Sequence, residues 1–260
     1  MNEAQESSLS CSKLGIAVPG RELVADLDLQ IAAGEIVAIL GPNGVGKSLT
    51  LHTLAALRAV RNGEIRLGTN LIDQLSRQQI ASQLALLPQH TDDVFPTTVL
   101  DTVLIGRHPH IQRFQWETGH DRDIAFAALR EVDLESMHRR EVATLSGGER
   151  RRLAVAQVLA QAPQIFLLDE PTNHLDPQHQ LDVLRIFQSR AQSGAAVVVS
   201  LHDVNLAARF ADRCLLLYGD GRWTIGATNE VLSADRLTNL YGTTMEAVGW
   251  RNTQLFVAAG

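Results

Sequence analysis

The chain of 260 residues and 28.4 kDa is long enough for one large domain or two small ones, with a substantial hydrophobic core. Its hydrophobic fraction of 45% and charged fraction of 20% are typical of globular proteins and exclude a disordered or fibrous chain. The 29 acidic residues outnumber the 23 basic ones, which argues against nucleic acid as a partner because proteins that bind phosphate backbones usually carry the opposite balance.

The N-terminal residues predict a flexible tail at 1–12. This segment is polar and acidic, without the positive and apolar stretches of a signal peptide. The longest apolar runs of the chain are strand-sized, far below the roughly 18 residues that a membrane span needs. The two cysteines, Cys11 and Cys214, have no metal-ligand spacing between them. We therefore expect a cytoplasmic, reduced protein that does not cross the membrane.

From residue 13 onward, short β-rich runs alternate with helical patterns, which predicts an α/β fold with a mostly parallel sheet. Several runs are apolar throughout, as is typical of strands buried on both faces. Between about 95 and 160 the pattern becomes helical, so we expect a helical subdomain inserted into the α/β core. Residues 243–260 predict a small C-terminal extension. The predicted strands are 36–40, 64–67, 83–87, 164–168, 195–200 and 214–217.

The first chemical motif directly follows the strand predicted at 36–40. A Gly-rich loop that ends in Lys47 and Ser48 precedes a helical segment, which matches the GxxxxGK[ST] phosphate-binding pattern in its strand–loop–helix context. Glycines let consecutive backbone N–H groups face an anion, and the helix adds the positive end of its dipole. We expect Lys47 to contact the β- and γ-phosphates and Ser48 to bind Mg²⁺. The loop consists of Gly41, Pro42, Asn43, Gly44, Val45, Gly46, Lys47 and Ser48.

The second motif is the apolar run 164–168, which ends in Asp169 and Glu170. Taken alone, this pattern fits any buried strand that ends in an acidic turn. Together with the Gly-rich loop, it predicts the second half of a Mg–nucleotide site. In such a site Asp169 lies beside the Mg²⁺ ion and Glu170 lies near the attacking water.

The third motif, LSGGE at 145–149, opens a predicted helix and forms a second anion-binding helix start. Two such starts in one chain suggest that the second serves a nucleotide held by another subunit. With these three motifs, the chain resembles the nucleotide-binding subunits of ABC transporters over a domain placed at 13–242. The resemblance implies a P-loop NTPase core, binding of ATP and Mg²⁺, and a homodimer. In that homodimer Ser146, Gly147 and Gly148 would contact the ATP of the partner subunit.

The same resemblance gives roles to further residues. Gln89 matches the Q-loop of the family, which implies that it binds Mg²⁺ with Ser48 and Asp169 and links the site to the helical subdomain. His202 matches the switch histidine, which would hold the γ-phosphate and the attacking water in line. Glu170 would polarise that water. The resemblance therefore implies an ATP hydrolase whose catalytic residues are Glu170, His202 and Gln89.

Finer resemblances indicate importers of iron chelates, haem or cobalamin. The segments 101–110, 171–176 and 226–232 look like the corresponding segments of that group. They imply a peripheral subunit on the cytoplasmic side of the inner membrane, bound to a dimeric integral-membrane permease. Through the permease, the subunit would serve a periplasmic or surface solute-binding protein.

Two alternatives remain beside the importer: an ATPase subunit of an ABC exporter, and a non-transport ABC ATPase with soluble partners. The DNA-repair branch of the second class is excluded, because the segment between Gln89 and Ser146 is too short for its long coiled coil.

Two features of the sequence bear on its detailed behaviour. Val18 stands where the family usually has an aromatic residue that stacks on adenine, which predicts weaker binding of the base. The run Arg150, Arg151 and Arg152 predicts a solvated face of the helix after the LSGGE motif.

Overall fold

The computed structural model describes residues 7–89, 96–111, 115–251 and 253–259. Its central sheet has six strands in the order β10-β9-β3-β8-β7-β6, and all neighbours run parallel except β10, which pairs antiparallel with β9. This arrangement confirms the predicted α/β fold with a mostly parallel sheet. The strands are β3 (Ile36–Leu40), β6 (Leu84–Leu87), β7 (Ile165–Asp169), β8 (Ala196–Ser200), β9 (Arg213–Leu217) and β10 (Trp223–Ala227).

The central sheet separates two hydrophobic cores. Because side chains alternate between the faces of a strand, Val37 and Ile39 of β3 lie in one core, whereas Ala38 and Leu40 lie in the other. All five residues of β3 are buried. The sheet is therefore covered on both faces, which explains the continuous apolar runs of its strands.

A second sheet is antiparallel and has the order β2-β1-β4-β5. Its strands are β1 (Ser7–Val18), β2 (Arg21–Ala32), β4 (Asn62–Leu67) and β5 (Asn70–Leu71). The predicted tail at 1–12 is wrong from residue 7 onward, because 7–12 belong to β1 and pair with both β2 and β4. Leu9 and Cys11 are buried in the same core as Val37 and Ile39, and this burial of apolar surface keeps the segment ordered.

Nine α-helices lie within the described residues. They are α1 (Lys47–Leu54), α2 (Arg77–Ala81), α3 (Val99–Ile105), α4 (Gly119–Glu131), α5 (Gly147–Gln161), α6 (Pro177–Gln192), α7 (Val204–Phe210), α8 (Thr228–Val231) and α9 (Ala234–Tyr241). None of these helices has the length and apolar character needed to cross a membrane.

Helices α3, α4 and α5 come from the segment predicted to be a helical insertion. Each of them packs against the other two. A buried ion pair joins the segment directly after α3 to the other two helices: Arg107 Nε lies 3.0 Å from Asp121 Oδ1 of α4, and Arg107 also donates to the carbonyl oxygen of Ala160 of α5 at 2.8 Å. Removing one partner of such a buried pair usually costs about 3–5 kcal/mol. The three helices therefore form one packed unit.

The chain ends in a hairpin of β11 (Met245–Trp250) and β12 (Thr253–Ala258). The side chain of Asn205 in α7 pairs with both backbone groups of Phe256, accepting from its N–H at 2.8 Å and donating to its carbonyl at 3.1 Å. The Phe256 side chain is buried in one of the two cores. The region expected as a C-terminal extension is thus anchored to the α/β core.

Candidate active site

Four neighbouring parallel strands deliver the predicted site residues to one edge of the central sheet. The Gly-rich loop follows β3, His202 comes two positions after β8, Asp169 ends β7, and Gln89 comes two positions after β6. Carboxyl ends of parallel strands meet at the same edge, where open α/β sheets bind their ligands. The fold therefore brings together groups that lie far apart in the sequence.

The Gly-rich loop is wrapped around its own lysine. Lys47 is buried, and its Nζ donates to the carbonyl oxygens of Gly41 at 2.8 Å and Pro42 at 3.2 Å. Gly41 has φ +151°, and a Cβ at this position would lie 2.5 Å from the carbonyl oxygen of Leu217. Only glycine fits here, because the loop packs directly against the end of β9.

The other loop residues differ in their exposure. Asn43 and Gly44 are exposed at the tip, Val45 is buried, and Ser48 in the first turn of α1 is partly buried. Gly46 caps α1 with φ +107°, a left-handed conformation that turns the chain into the helix. This geometry fits the predicted phosphate cradle at a helix N-terminus.

Charges at the end of β7 act on the lysine of the loop. Burial lowers the pKa of Lys47, while the negative charges of Glu170 and Asp169 oppose that shift. The positive charge of Lys47 therefore interacts with the negative charges of both carboxylates. An ammonium group near enough to two acids to interact with their charges is the arrangement expected where a polyphosphate and a metal ion are to be bound together.

Asp169 is fully buried, and of its two carboxylate oxygens only Oδ1 has a hydrogen-bond partner among the described residues. Ser200 Oγ donates to Asp169 Oδ1 at 2.7 Å and accepts a hydrogen bond from the Glu170 N–H at 2.9 Å. Asp169 Oδ2 is buried without a hydrogen-bond partner among the described residues. A buried carboxylate oxygen normally has a partner, so this atom fits a role as ligand to Mg²⁺ or to a water of its hydration shell.

Glu170 is the point at which the site residues converge. Its Oε2 accepts hydrogen bonds from Gln89 Nε2 at 2.7 Å and from Asn173 Nδ2, and its Oε1 lies 2.5 Å from His202 Nε2. The Glu170 side chain is 5% exposed, whereas that of His202 is 42% exposed. The three predicted catalytic residues, Glu170, His202 and Gln89, are therefore in direct contact.

The backbone of Glu170 is unusual as well. Its φ is +49°, the left-handed region that disfavours residues with a Cβ. Such a conformation costs about 1–3 kcal/mol and persists only where neighbouring groups enforce it. Strain of this kind clusters at functional sites, which agrees with the convergence of donors on the side chain.

The solvated position expected for Arg151 is wrong. This residue is buried, and burial lowers its pKa to about 10. Its guanidinium donates to five backbone carbonyls: Pro88 at 2.6 Å, Gln89 at 3.4 Å, Asp169 at 2.5 Å, Glu170 at 2.9 Å and Pro171 at 3.3 Å. The spacing of apolar residues could have predicted this burial. Arg151 precedes the buried Ala154, Val155 and Val158 by three, four and seven positions, which places all four residues on one face of the helix.

Asn173 and Ser200 were also missed. Ser200 could have been found from the strand register, since it pairs with Asp169 at the end of the neighbouring strand. Asn173 lies in the turn that begins at Glu170, where the Asn173 N–H donates to the Glu170 carbonyl at 3.1 Å. A short polar side chain three positions after a carboxylate is a turn signal that also places its amide within reach of that carboxylate.

The LSGGE motif forms the start of α5 as predicted. Ser146 is the N-cap: its side chain accepts from the Glu149 N–H at 3.3 Å, and the Glu149 carboxylate accepts from the Ser146 N–H at 2.7 Å. These hydrogen bonds lower the pKa of Glu149. Ser146 and Gly147 are exposed, and Gly148 is partly exposed. The helix start is therefore a surface feature that a ligand outside this chain can reach.

Comparisons with known proteins agree with this geometry. The chain is 39% identical to the hemin import ATP-binding protein HmuV of Pseudomonas fluorescens Pf-5, over 90% of this chain and 92% of HmuV. It is 35% identical to the iron(3+)-hydroxamate import ATP-binding protein FhuC of Bacillus subtilis, over 93% and 90% of the two chains. A solved metal-chelate type ABC transporter in an inward-facing conformation matches with a TM-score of 0.85 and 30% identity over 98% of both chains. The family model described as ABC transporter matches residues 24–173, more than half of the chain, and the chain therefore belongs to the ABC transporter family.

Proposed function

We propose that this chain is the ATP-binding and hydrolysing subunit of an ABC importer whose cargo is an iron chelate, haem or a cobalamin-type molecule. The hydrolytic part is supported above all by the convergence of Gln89, Asn173 and His202 on the buried Glu170 carboxylate. The import part is supported by the hemin and iron-hydroxamate import proteins among its relatives.

The phosphates of ATP would bind over the Gly-rich loop. Backbone N–H groups of the loop residues Gly41–Ser48 and the N-terminus of α1 supply fixed positive dipoles, and Lys47 supplies the positive charge. Phosphoryl transfer depends mainly on positioning and on neutralising charge, so a preformed cradle accounts for much of the catalysis. ATP would then displace the loop carbonyls of Gly41 and Pro42 as partners of Lys47 Nζ.

A Mg²⁺ ion would be held by Asp169, Ser48 and Gln89. Asp169 offers the unpartnered Oδ2, and Gln89 offers its amide oxygen because its amide nitrogen is bound to Glu170. When bound, the ion neutralises charge on the β- and γ-phosphates. Oxygen ligands of this kind are those that Mg²⁺ prefers.

Glu170 would act as the general base. Its carboxylate is buried beside the lysine of the phosphate loop, and His202 lies against Oε1 at 2.5 Å. His202 is exposed enough to reach a γ-phosphate and, in moving to it, to release Oε1 for the attacking water. Proton acceptance by a positioned carboxylate typically contributes about 10²–10⁴-fold to the rate.

The complete site would need two copies of the chain. Ser146, Gly147 and Gly148 lie at the exposed start of α5, where they can contact ATP held by the partner subunit of a homodimer. The helical unit of α3, α4 and α5 would follow the dimer as it closes. We place the ATPase domain at 13–242 with the helical insertion at about 95–160 and the C-terminal extension at 243–260, and β1 carries the ordered region forward to residue 7.

The membrane partners follow from import. The subunit would bind a dimer of integral-membrane permease chains on the cytoplasmic side of the inner membrane, and the permease would receive cargo from a periplasmic or surface solute-binding protein. The import proteins among the relatives favour this arrangement over the exporter and over a non-transport ATPase with soluble partners.

The test is recovery of tagged Glu170→Gln protein from detergent-solubilised native membranes in the presence of ATP, with partners identified by mass spectrometry. Recovery of a multi-helix permease and its solute-binding protein is the expected result, and Lys47→Ala protein serves as the control that should not form the ATP-bound complex. Recovery of soluble partners alone would overturn import while leaving the ATPase chemistry intact.

A further inference from the structure

One guanidinium, that of Arg151, connects two separate parts of the active site. Through Nη1 Arg151 donates to the carbonyls of Pro88 and Gln89, the segment that follows β6. Through Nη2 and Nε it donates to the carbonyls of Asp169, Glu170 and Pro171, at the end of β7 and directly after it.

These acceptors are all backbone oxygens. Arg151 is 6% exposed, so its positive charge is largely removed from water. This desolvation costs free energy and lowers the pKa of the guanidinium. The planar fork of an arginine offers five donors in fixed directions, which a lysine does not. A buried arginine whose hydrogen bonds all go to main-chain carbonyls holds the backbone segments that carry them.

The backbone that Arg151 fixes is the strained one. The Glu170 N–H is held by Ser200 Oγ at 2.9 Å and the Glu170 carbonyl by Arg151 at 2.9 Å, so both peptide groups around the left-handed residue are restrained. On the other side, Arg151 holds the carbonyl of Gln89, whose side chain donates to Glu170 Oε2. The guanidinium therefore determines both where the Glu170 carboxylate lies and where its main donor lies.

We propose that Arg151 is a positioning residue for ATP hydrolysis, which holds the catalytic carboxylate of Glu170 and the amide of Gln89 in register with each other and with helix α5. Arg151 lies five positions after Ser146 on the same helix, so a displacement of the α5 start is transmitted to the Glu170 segment through a rigid element. This inference rests on the role of Glu170 given under the proposed function.

The experiment compares Arg151→Met, Arg151→Lys and the control Arg152→Met. Arg152 lies on the same helix, but its guanidinium donates to the carbonyl of Val132, directly after α4, instead of to the segment Asp169–Pro171. For each variant, kcat and KM for ATP hydrolysis, ATP affinity by calorimetry and melting temperature are measured. We expect Arg151→Met to lower kcat by about tenfold or more while ATP affinity changes by less than about threefold.

Arg152→Met should keep kcat within about twofold of the original chain, even if its melting temperature falls as much as that of Arg151→Met. Arg151→Lys keeps the charge and loses the fork, so its kcat should lie between those of Arg151→Met and the original chain. If Arg151→Met does not fold, the lysine variant decides the question: an unchanged kcat in Arg151→Lys overturns the proposal.

A double-mutant cycle separates positioning from general support of the fold. With Glu170→Gln already in place there is no catalytic carboxylate to position, so adding Arg151→Met should lower the residual kcat by less than about threefold. An equal loss in both backgrounds refutes the role of Arg151 and leaves the proposed function standing. Normal turnover in Glu170→Gln alone would instead refute the role of Glu170.

Discussion

The most informative perturbation is Glu170→Gln, which removes one charge and keeps the size of the side chain. Three groups surround this carboxylate: Gln89 and Asn173 donate to Oε2, and His202 lies 2.5 Å from Oε1. The glutamine oxygen can accept from both amides, and its NH₂ group then faces His202 Nε2, which becomes an acceptor in the other tautomer. The hydrogen-bond pattern therefore survives the substitution, and the negative charge does not.

The two consequences have different sizes. Loss of the charge-assisted component of these bonds costs about 1 kcal/mol of stability. For a chain of this length, this lowers the melting temperature by about 2–4 °C. Loss of the proton acceptor should lower kcat by about 10²–10⁴-fold, because an amide accepts no proton from water. ATP binding should persist, since Lys47 and the Gly-rich loop are untouched.

The assay is release of phosphate at saturating ATP, together with calorimetric ATP affinity and size-exclusion chromatography with ATP. A slow variant that binds ATP normally and elutes as a dimer is the expected result. Turnover within about tenfold of the original chain would refute the assignment of Glu170 as the base. A large drop in melting temperature would refute the tautomer argument and attribute the loss to structure.

Three further predictions concern binding and assembly. Lys47→Ala removes a charged donor from two phosphates and leaves the carbonyls of Gly41 and Pro42 without it, so ATP affinity in calorimetry should fall by about a hundredfold; an unchanged affinity contradicts the phosphate role. Hydrolysis per subunit should rise with protein concentration until the dimer is saturated, and a rate that stays flat down to the monomer speaks against the shared site. Val18→Tyr should raise ATP affinity by about fivefold, because the tyrosine can stack on adenine. The affinity for inorganic triphosphate, which has no base, should not change. An equal rise in both affinities would refute stacking as the cause.

The central sheet could be predicted because its signals are local. Each strand that carries a site residue is a short apolar run, and β3 is followed at once by a loop whose glycine spacing is specific for phosphate binding. The ends of these strands fall within two residues of the predicted limits. Once the strands are parallel, the meeting of their carboxyl ends follows from geometry.

In the antiparallel sheet the sequence predicts β4, from the run 64–67, but not β1, because the alternation of β1 is interrupted. In β1 the buried residues switch from odd positions, Leu9 and Cys11, to even positions, Leu14 and Ile16. The switch occurs at Lys13, which has φ +49° and coincides with a register shift against β2. A bulge of this kind shifts the two-residue period by one position, so the segment shows no sustained strand pattern.

The error at Arg151 has a different origin. Three consecutive arginines look like a solvated face by composition, but successive residues of a helix point about 100° apart, so one of the three can be buried while the other two stay partly exposed. The neighbours confirm which one: Arg150 and Arg152 are partly exposed, and Arg151 is buried. Its partners are main-chain oxygens, and a sequence carries no signal for the position of a carbonyl in a distant loop.

The geometry of α5 gives a physical reason why ATP on one subunit should control the chemistry on the other. The first turn of the helix carries Ser146 on the exposed surface, and its second turn carries Arg151 beneath Glu170. In the proposed dimer the first turn would contact the ATP of the partner, and a shift of the helix on binding would reach the segment that holds the chain's own Glu170 carboxylate. A helix of fifteen residues with a complete capping box is stiff over this distance. A displacement of its first turn would therefore also displace Arg151 in its second turn. Hydrolysis would then require both nucleotides, and Arg151→Met should weaken this requirement along with the rate.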